Sequence, residues 1–238
     1  DGSYLKRRVS NNGNLASENI AQYLEVFLAD LVEAYPEIDG IRLDWPEYPP
    51  YFYEETFFDF SRHAEMFARD HGFGGDRWEK LKSEALAALK SGQLRFVPEL
   101  SELKAKMSER LIARARKAVA GKELIPNAFP PPFHEVSGMD YARVAKHCDG
   151  ISVKLYTMHW PMMLKFWSEG RDAQFFRAAQ KWMNIGNFRR AADCRYPEPD
   201  EPHPVSARAQ EEKIRLARQL AGTTPVYALA HGYGPLTD

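Results

Sequence analysis

A chain of 238 residues is long enough to bury a substantial core, and we expect a single domain over residues 1–238. Its 32 basic and 33 acidic side chains give a formal net charge of −1, which favours neither nucleic acid nor an anionic membrane as a partner. The two cysteines, Cys148 and Cys194, are too few for a disulfide-rich scaffold or a four-cysteine zinc site.

Targeting signals are also lacking in the sequence. No apolar run approaches the roughly 20 residues of a membrane span, and no charged start followed by an apolar stretch indicates a signal peptide. We therefore expect no membrane partner, and the cytoplasm is the favoured location. The chain begins at Asp1 rather than Met, which leaves room for a preceding targeting segment.

Apolar positions recur first at helical and then at strand spacing. A helix is predicted from about Ser17 to Ala34, with Ser17 as its N-cap. It leads into a short strand, Gly40 to Asp44, whose side chains alternate so that Arg42 and Asp44 share one face. A carboxylate therefore stands at the carboxyl end of a predicted strand.

Later segments repeat this pattern of a helix followed by a short strand. Three more strands are predicted at 122–128, 149–156 and 224–230. Helices are predicted over about 54–70, 76–91, 99–120, 137–145, 160–182 with an interruption near Gly170, and 206–220. Asp76-Arg77-Trp78-Glu79 is predicted as a capping box, and Ser137 as the start of the helix over 137–145. The alternation predicts an α/β fold of parallel strands joined by right-handed helical crossovers.

Polar side chains end the predicted strands. Counting in phase with Asp44 places Asn127, Lys154 with Tyr156, and His231 at the carboxyl ends, where α/β sheets build their active sites. We expect these side chains to converge on one edge of the sheet. The alternative is that Asp44 only caps its loop or pairs with Arg42.

The stretch Glu37–Pro50, EIDGIRLDWPEYPP, resembles the fourth strand of (β/α)8-barrel glycoside hydrolases, which often carries Asp-Gly-apolar-x-apolar-Asp. It is most similar to uncharacterised glycosidase-like barrels, and VKLYTMHWP and ALAHGYGP look like later strand ends of the same barrels. The resemblance covers roughly Asn11 to the C-terminus. It implies a TIM-barrel type of α/β fold that is incomplete, with about strands four to seven present and long helical inserts between them.

The same resemblance implies cleavage of O-glycosyl bonds, which usually needs one protonated and one ionised carboxyl group. Asp44 is the candidate for the ionised group, kept charged by Arg42 and Lys154. Glu135 is slightly preferred as the acid over Glu47, which lies only three residues from Asp44. The alternative for Glu135 is a structural carboxylate at a helix start.

Carbohydrate is the expected substrate, and several side chains suit it. His159 and His231 are candidates for hydrogen bonds to sugar hydroxyls. The other substrate-binding candidates are Trp45, Asn127, Lys154, Tyr156, Trp160 and Tyr233. The alternative for each aromatic residue is packing in the core.

Two other functions remain open from the sequence. One is a carbohydrate-binding barrel without an acid–base pair, and the other is a metal-dependent barrel hydrolase that uses Asp44, His159 and His231. No His-x-His or His-Glu-x-x-His spacing indicates a metal, and no Gly-x-Gly-x-x-Gly or Walker loop indicates a nucleotide. We therefore expect no metal and no cofactor. The sequence indicates neither the sugar nor the oligomeric state.

Overall fold

The computed structural model describes residues 14–196 and 201–230. In this part of the chain, four strands form one sheet: β1 Gly40–Leu43, β2 Glu123–Ala128, β3 Ile151–Leu155 and β4 Val226–Ala230. Their order in the sheet is their order in the chain, and each neighbouring pair is parallel. All four strands therefore end at the same edge of the sheet, which we call the carboxyl edge.

Helices connect these strands. In chain order they are α1 Glu18–Ala34, α2 Arg62–Asp70, α3 Asp76–Lys90, α4 Pro98–Ala118, α5 Phe133–Ser137, α6 Tyr141–Val144, α7 His159–Ser168, α8 Ala173–Met183 and α9 Ala207–Ala221. Short 3-10 segments occur at Tyr53–Phe57, Ala145–His147 and Ala191–Asp193. Among the described residues, no helix is both long enough and apolar enough to cross a membrane.

The parallel α/β arrangement predicted from the sequence is confirmed. Register pairs Ile41 with Leu124 and Asn127 with Ser152, as expected for parallel neighbours. The described residues are consistent with part of an α/β barrel and do not close a complete one. The assignment of β1 to β4 as the fourth to seventh strands stays a prediction.

The buried side chains form two clusters. One lies between the sheet and the helices, and includes Leu28 of α1, Leu124 of β2, Val153 of β3 and Ala217 of α9. The other gathers residues that follow the strand ends with residues of α2, α3, α7 and α8. The loop after β1 contributes side chains to this second cluster, so the segment at the carboxyl edge packs against buried residues.

Two local predictions are wrong. The N-cap of α3 is Gly75 at φ +62°, a conformation that glycine adopts easily, so Asp76 is the first helical residue and no capping box forms. Ser137 ends α5 instead of beginning a helix, because the chain turns at Gly138 with φ +88°. The next helix is capped by Asp140, whose carboxylate accepts from the backbone N–H of Arg143 at 3.1 Å.

The N-cap predicted for α1 is confirmed. The Ser17 hydroxyl accepts a hydrogen bond from the backbone N–H of Ile20 at 3.4 Å. The segment predicted as one helix over 54–70 is divided instead into the 3-10 turn Tyr53–Phe57 and α2. Ser61 begins α2 by accepting from the N–H of Ala64 at 3.2 Å.

Candidate active site

Asp44 directly follows β1 and is exposed at the carboxyl edge. The side-chain amide of Asn127 donates from Nδ2 to Asp44 Oδ1 at 2.7 Å, and Asn127 itself is buried. Within the part of the chain that is described, Arg42 forms no ion pair with Asp44. A neutral buried amide, rather than the expected cation, therefore orients the exposed carboxylate.

Glu47 lies below this surface in a buried ion pair. Its Oε1 is 3.2 Å from Nζ of Lys154, and neither side chain has any exposed area. The backbone N–H of Phe129 donates to Oε1 at 2.8 Å, and the hydroxyl of Ser137 donates to Oε2 at 2.5 Å. Burial raises the pKa of Glu47, although Lys154 and these donors oppose the shift.

These contacts correct two site predictions. Both oxygens of Glu47 accept hydrogen bonds inside the protein, so this carboxyl group cannot act on a substrate in this geometry. Lys154 does not stabilise Asp44 or contact a sugar, since its ammonium group is enclosed and pairs with Glu47. The loop between Trp45 and Glu47 turns the second carboxylate inward while Asp44 remains outside.

Aromatic rings surround the buried ammonium group. Nζ of Lys154 lies 4.4 Å from the ring centroid of Trp45 and 4.4 Å from that of Phe129. Trp45 has φ +59°, in the left-handed region that is unfavourable for a residue with a side chain. Its ring is half-buried and also contacts Tyr51, with a centroid separation of 5.7 Å.

A second group of rings extends from Tyr51 along the edge. The Tyr51 hydroxyl lies 3.2 Å from Nδ1 of His159. The ring of His159 is 5.7 Å from Tyr156 and 5.8 Å from Tyr196. Burial raises the pKa of Tyr51, and the negative charge of Asp44 adds to the shift, so the phenol keeps its proton. Burial and Asp44 also raise the pKa of Tyr156.

The structure therefore brings several predicted site residues together: Asp44, Trp45, Asn127, Tyr156 and His159. Tyr51, from the loop after β1, joins them through its hydroxyl contact with His159. Tyr196 was missed, because it lies within residues 184–205, the stretch whose composition indicates the least order. Its ring is 51% exposed, which leaves much of its surface open to solvent.

Other predicted residues lie elsewhere. Trp160 is 1% exposed, with Phe133 and the ammonium group of Lys213 against its ring, so the predicted stacking on a sugar is replaced by core packing. Glu135 lies on α5 with an exposed side chain, and partial desolvation of its carboxyl group by the surrounding protein raises its pKa. His231 and Tyr233 lie outside the described residues.

Metal ligands do not assemble in the described residues, where no three His, Cys, Asp or Glu side chains group into a site for an ion. Glu135 instead lines a shallow depression formed with α8 and α9, whose other lining residues include Trp182 and Lys213. Asp44 and the rings near it are not part of that lining. Asp44 therefore lies outside the depression that Glu135 lines.

No protein-family model matches the sequence, and no curated protein matches it. One solved structure with a partial likeness is the β-galactosidase from the psychrophilic Marinomonas ef1, with 11% sequence identity and a TM-score of 0.40. The match covers 63% of this chain and 26% of that chain, so it spans about a quarter of the enzyme's length. A likeness at this level assigns no activity.

Proposed function

We propose that the chain is a glycoside-hydrolase-like domain that binds a carbohydrate at the carboxyl edge and cleaves a glycosidic bond with Asp44 as the ionised carboxylate. The observation that carries this proposal is the pair of Asp44 and Asn127: an exposed carboxylate at a strand end, oriented by a buried amide at 2.7 Å. Parallel α/β folds place their ligand sites at this edge.

The surroundings of Asp44 suit a sugar ring. Trp45, Tyr51 and Tyr156 are half-buried and Tyr196 is exposed, so each presents part of an aromatic face. Such faces pack against the apolar C–H groups of a sugar. Tyr51 and His159, which lie within hydrogen-bond distance of each other, provide polar groups for hydroxyls.

Glycoside cleavage also needs a protonated carboxyl group, and we assign this role to Glu135. Burial raises the pKa of Glu135, which favours the protonated form that donates to a leaving oxygen. Its helix, α5, is joined to the loop of Asp44 by a hydrogen bond from the backbone N–H of Tyr48 to the carbonyl of Ser137 at 2.9 Å.

A carbohydrate-binding domain without catalysis is the second candidate function. The observation in its favour is that Glu135 lines its own depression, with Trp182 and Lys213, while Asp44 does not. In that case Asp44 accepts a hydrogen bond from a sugar hydroxyl, and no proton reaches a leaving group.

Hydrolysis of a panel of aryl glycosides, with and without a chelator, separates these functions. We expect hydrolysis that a chelator does not affect and that Glu135→Gln abolishes for substrates with poor leaving groups. Oligosaccharide binding by calorimetry without hydrolysis of any substrate favours the binding domain. Hydrolysis that stops on chelation contradicts both and favours a metal-dependent hydrolase.

A further inference from the structure

Three lysine side chains are fully buried in the described part of the chain, and they have different partners. Lys104 donates to the backbone carbonyls of Thr56 and Val136. Lys213 donates to the carbonyls of Pro131 and Met183. Lys154 alone of the three forms an ion pair, with Glu47 at 3.2 Å.

Glu47 joins the segments that carry Asp44, Asn127, Glu135 and Tyr156. Its carboxylate accepts from Phe129, two residues after Asn127, and from Ser137, two residues after Glu135. It also accepts from Lys154 on β3, two residues before Tyr156. Glu47 itself lies three residues after Asp44. One buried carboxylate thus connects the loop after β1, the end of β2, helix α5 and strand β3.

Lys154 adds a contact with Trp45. The ammonium group lies between the rings of Trp45 and Phe129, at 4.4 Å from each centroid. Because Trp45 has an unfavourable left-handed backbone, neighbouring contacts must hold it there. The ammonium group of Lys154 over its ring is one of these contacts, together with the rings of Tyr51 and Phe129.

A buried ion pair contributes little net stability to a folded protein. Removing two charges from water is costly, and hydrophobic residues of similar volume often stabilise a protein as well or better. Ion pairs and hydrogen bonds are, however, directional, and they select one arrangement of the groups that they join. The contacts of this pair with the segments of Asp44, Asn127, Glu135 and Tyr156 therefore indicate a geometric role.

We propose that Glu47 and Lys154 are positioning residues, which set the relative placement of Asp44, Trp45 and Glu135 without contacting the substrate. This inference rests on the proposed function. Under this proposal Glu47 and Lys154 orient the site residues. They do not take the catalytic and sugar-binding roles expected from the sequence.

The test compares Lys154→Met and Glu47→Gln with Arg116→Met. Arg116 is a matched control, because it also joins a helix to the sheet through an ion pair, with Asp149 at 2.6 Å, but at the opposite edge. For groups that orient catalytic residues, a loss of about 10- to 100-fold in activity is typical. We expect Lys154→Met and Glu47→Gln to lower kcat by such a factor per folded molecule, and Arg116→Met to leave kcat unchanged.

A spectroscopic measurement supplies a result that does not depend on catalysis. Iodide quenching of Trp45 fluorescence is obtained as the difference between each protein and the same protein carrying Trp45→Phe. We expect quenching of Trp45 to increase in Lys154→Met and to stay unchanged in Arg116→Met. If the wild-type protein hydrolyses no glycoside, the proposed function fails, and this quenching alone decides whether Lys154 positions Trp45.

A double variant, Glu47→Leu with Lys154→Met, covers the case in which a single variant does not fold. It removes both charges together and leaves neither one buried without its partner. A folded double variant with lowered kcat and increased Trp45 quenching supports the positioning role. Wild-type kcat with unchanged quenching, in either the single or the double variants, overturns it, even if Asp44 proves essential.

Discussion

The two edges of the sheet carry ion pairs in different surroundings. At the carboxyl edge, Glu47 and Lys154 form an ion pair with no exposed side-chain area. At the amino edge, Arg116 and Asp149 are 2.6 Å apart with side chains 27% and 49% exposed. Water screens the second pair and keeps its desolvation small, whereas the first pair is removed from water entirely. The ion pair at the carboxyl edge therefore has the larger desolvation penalty.

The segments also pack more closely at the amino edge than at the carboxyl edge. At the amino edge, Gly40 and Gly150 allow close approach: a Cβ atom on Gly40 would lie 2.7 Å from Glu123, and one on Gly150 would lie 2.5 Å from the Tyr227 ring. At the carboxyl edge, large rings such as those of Trp45 and Tyr51 pack against each other, with centroids 5.7 Å apart. The close packing at the amino edge favours stability. The partly exposed rings at the carboxyl edge favour contact with a ligand.

The largest expected difference comes from the same substitution at each edge, Asp44→Asn and Asp149→Asn. Removing a positioned catalytic carboxylate lowers kcat by on the order of 10³-fold. We expect that loss for Asp44→Asn, with an almost unchanged Tm, because Asp44 is exposed and asparagine keeps an oxygen that can accept the hydrogen bond from Asn127.

Asp149→Asn should lower Tm and leave kcat unchanged, the opposite of Asp44→Asn. Asp149 accepts from Arg116 and from the backbone N–H of Leu124 at 2.8 Å, so the weakened contacts lower Tm and leave kcat per folded molecule unchanged. Thermal melts and steady-state kinetics on the same preparations measure both quantities. Near-normal turnover in Asp44→Asn would show that the exposed carboxylate is not catalytic.

Breaking the buried pair should have the largest effect on stability. Lys154→Met leaves the Glu47 carboxylate enclosed without its cation, which costs about 3–5 kcal/mol of unfolding free energy. Burial already raises the pKa of Glu47, and loss of Lys154 raises it further. The folded variant then holds a proton that the unfolded chain releases above pH 4 to 5, so its stability falls as the pH rises.

Denaturant unfolding of Lys154→Met at pH 5 and pH 8 measures this dependence. We expect the variant to be closer to the wild type at pH 5 than at pH 8. A deficit that is equal at the two pH values would mean that packing around the methionine, rather than the unpaired carboxylate, is responsible.

The same two carboxylates show how far the sequence could predict the site. Alternation along Gly40 to Asp44 was enough to place Asp44 at a strand end, and the phase of β2 was enough to bring Asn127 to it. Spacing along a strand determines which face a side chain occupies, and says little about its depth. Glu47 and Lys154 were therefore expected at the surface.

Depth depends on contacts between distant segments. Glu47 is enclosed because Phe129 and Ser137, which lie 82 and 90 residues further along the chain, supply its hydrogen-bond donors. Trp160 is in the core because Phe133 and Lys213 pack on its ring. Such partners follow from tertiary packing, so periodicity predicted the strands and their parallel order better than the membership of the site.

The buried lysines that lack a carboxylate predict a smaller, pH-dependent effect. Burial lowers the pKa of Lys104 and of Lys213 to about 7, although Asp59 and Glu212 respectively oppose the shift. Between pH 7 and about 10 the unfolded chain binds more protons than the folded one, so unfolding free energy rises with pH. Each lysine contributes at most about 1.4 kcal/mol per pH unit.

Lys104→Met and Lys213→Met should each remove part of this slope, which denaturant unfolding between pH 7 and pH 8 measures. This interval is chosen because the pKa values of Cys148 and Cys194, raised by burial to about 11 and about 12, give an opposite slope above pH 8 to 9. Unchanged slopes in both variants would contradict neutral buried amines. Lys154→Met should not remove this positive slope.

The smallest effect should come from the exposed pair at the amino edge. Arg116→Met removes the partly exposed ion pair with Asp149, which contributes only about 0–1 kcal/mol. It also removes the Arg116 hydrogen bonds to the carbonyls of Val119 and Lys122, which contribute about 1 kcal/mol each. Asp149 keeps its hydrogen bond from Leu124 in this variant and remains in contact with water, so no charge is left enclosed. High salt should reduce the difference from the wild type further, because screening already weakens an exposed pair. A loss near that of Lys154→Met would mean that burial does not distinguish the two pairs, and the contrast between the two edges would then have to rest on the aromatic lining alone.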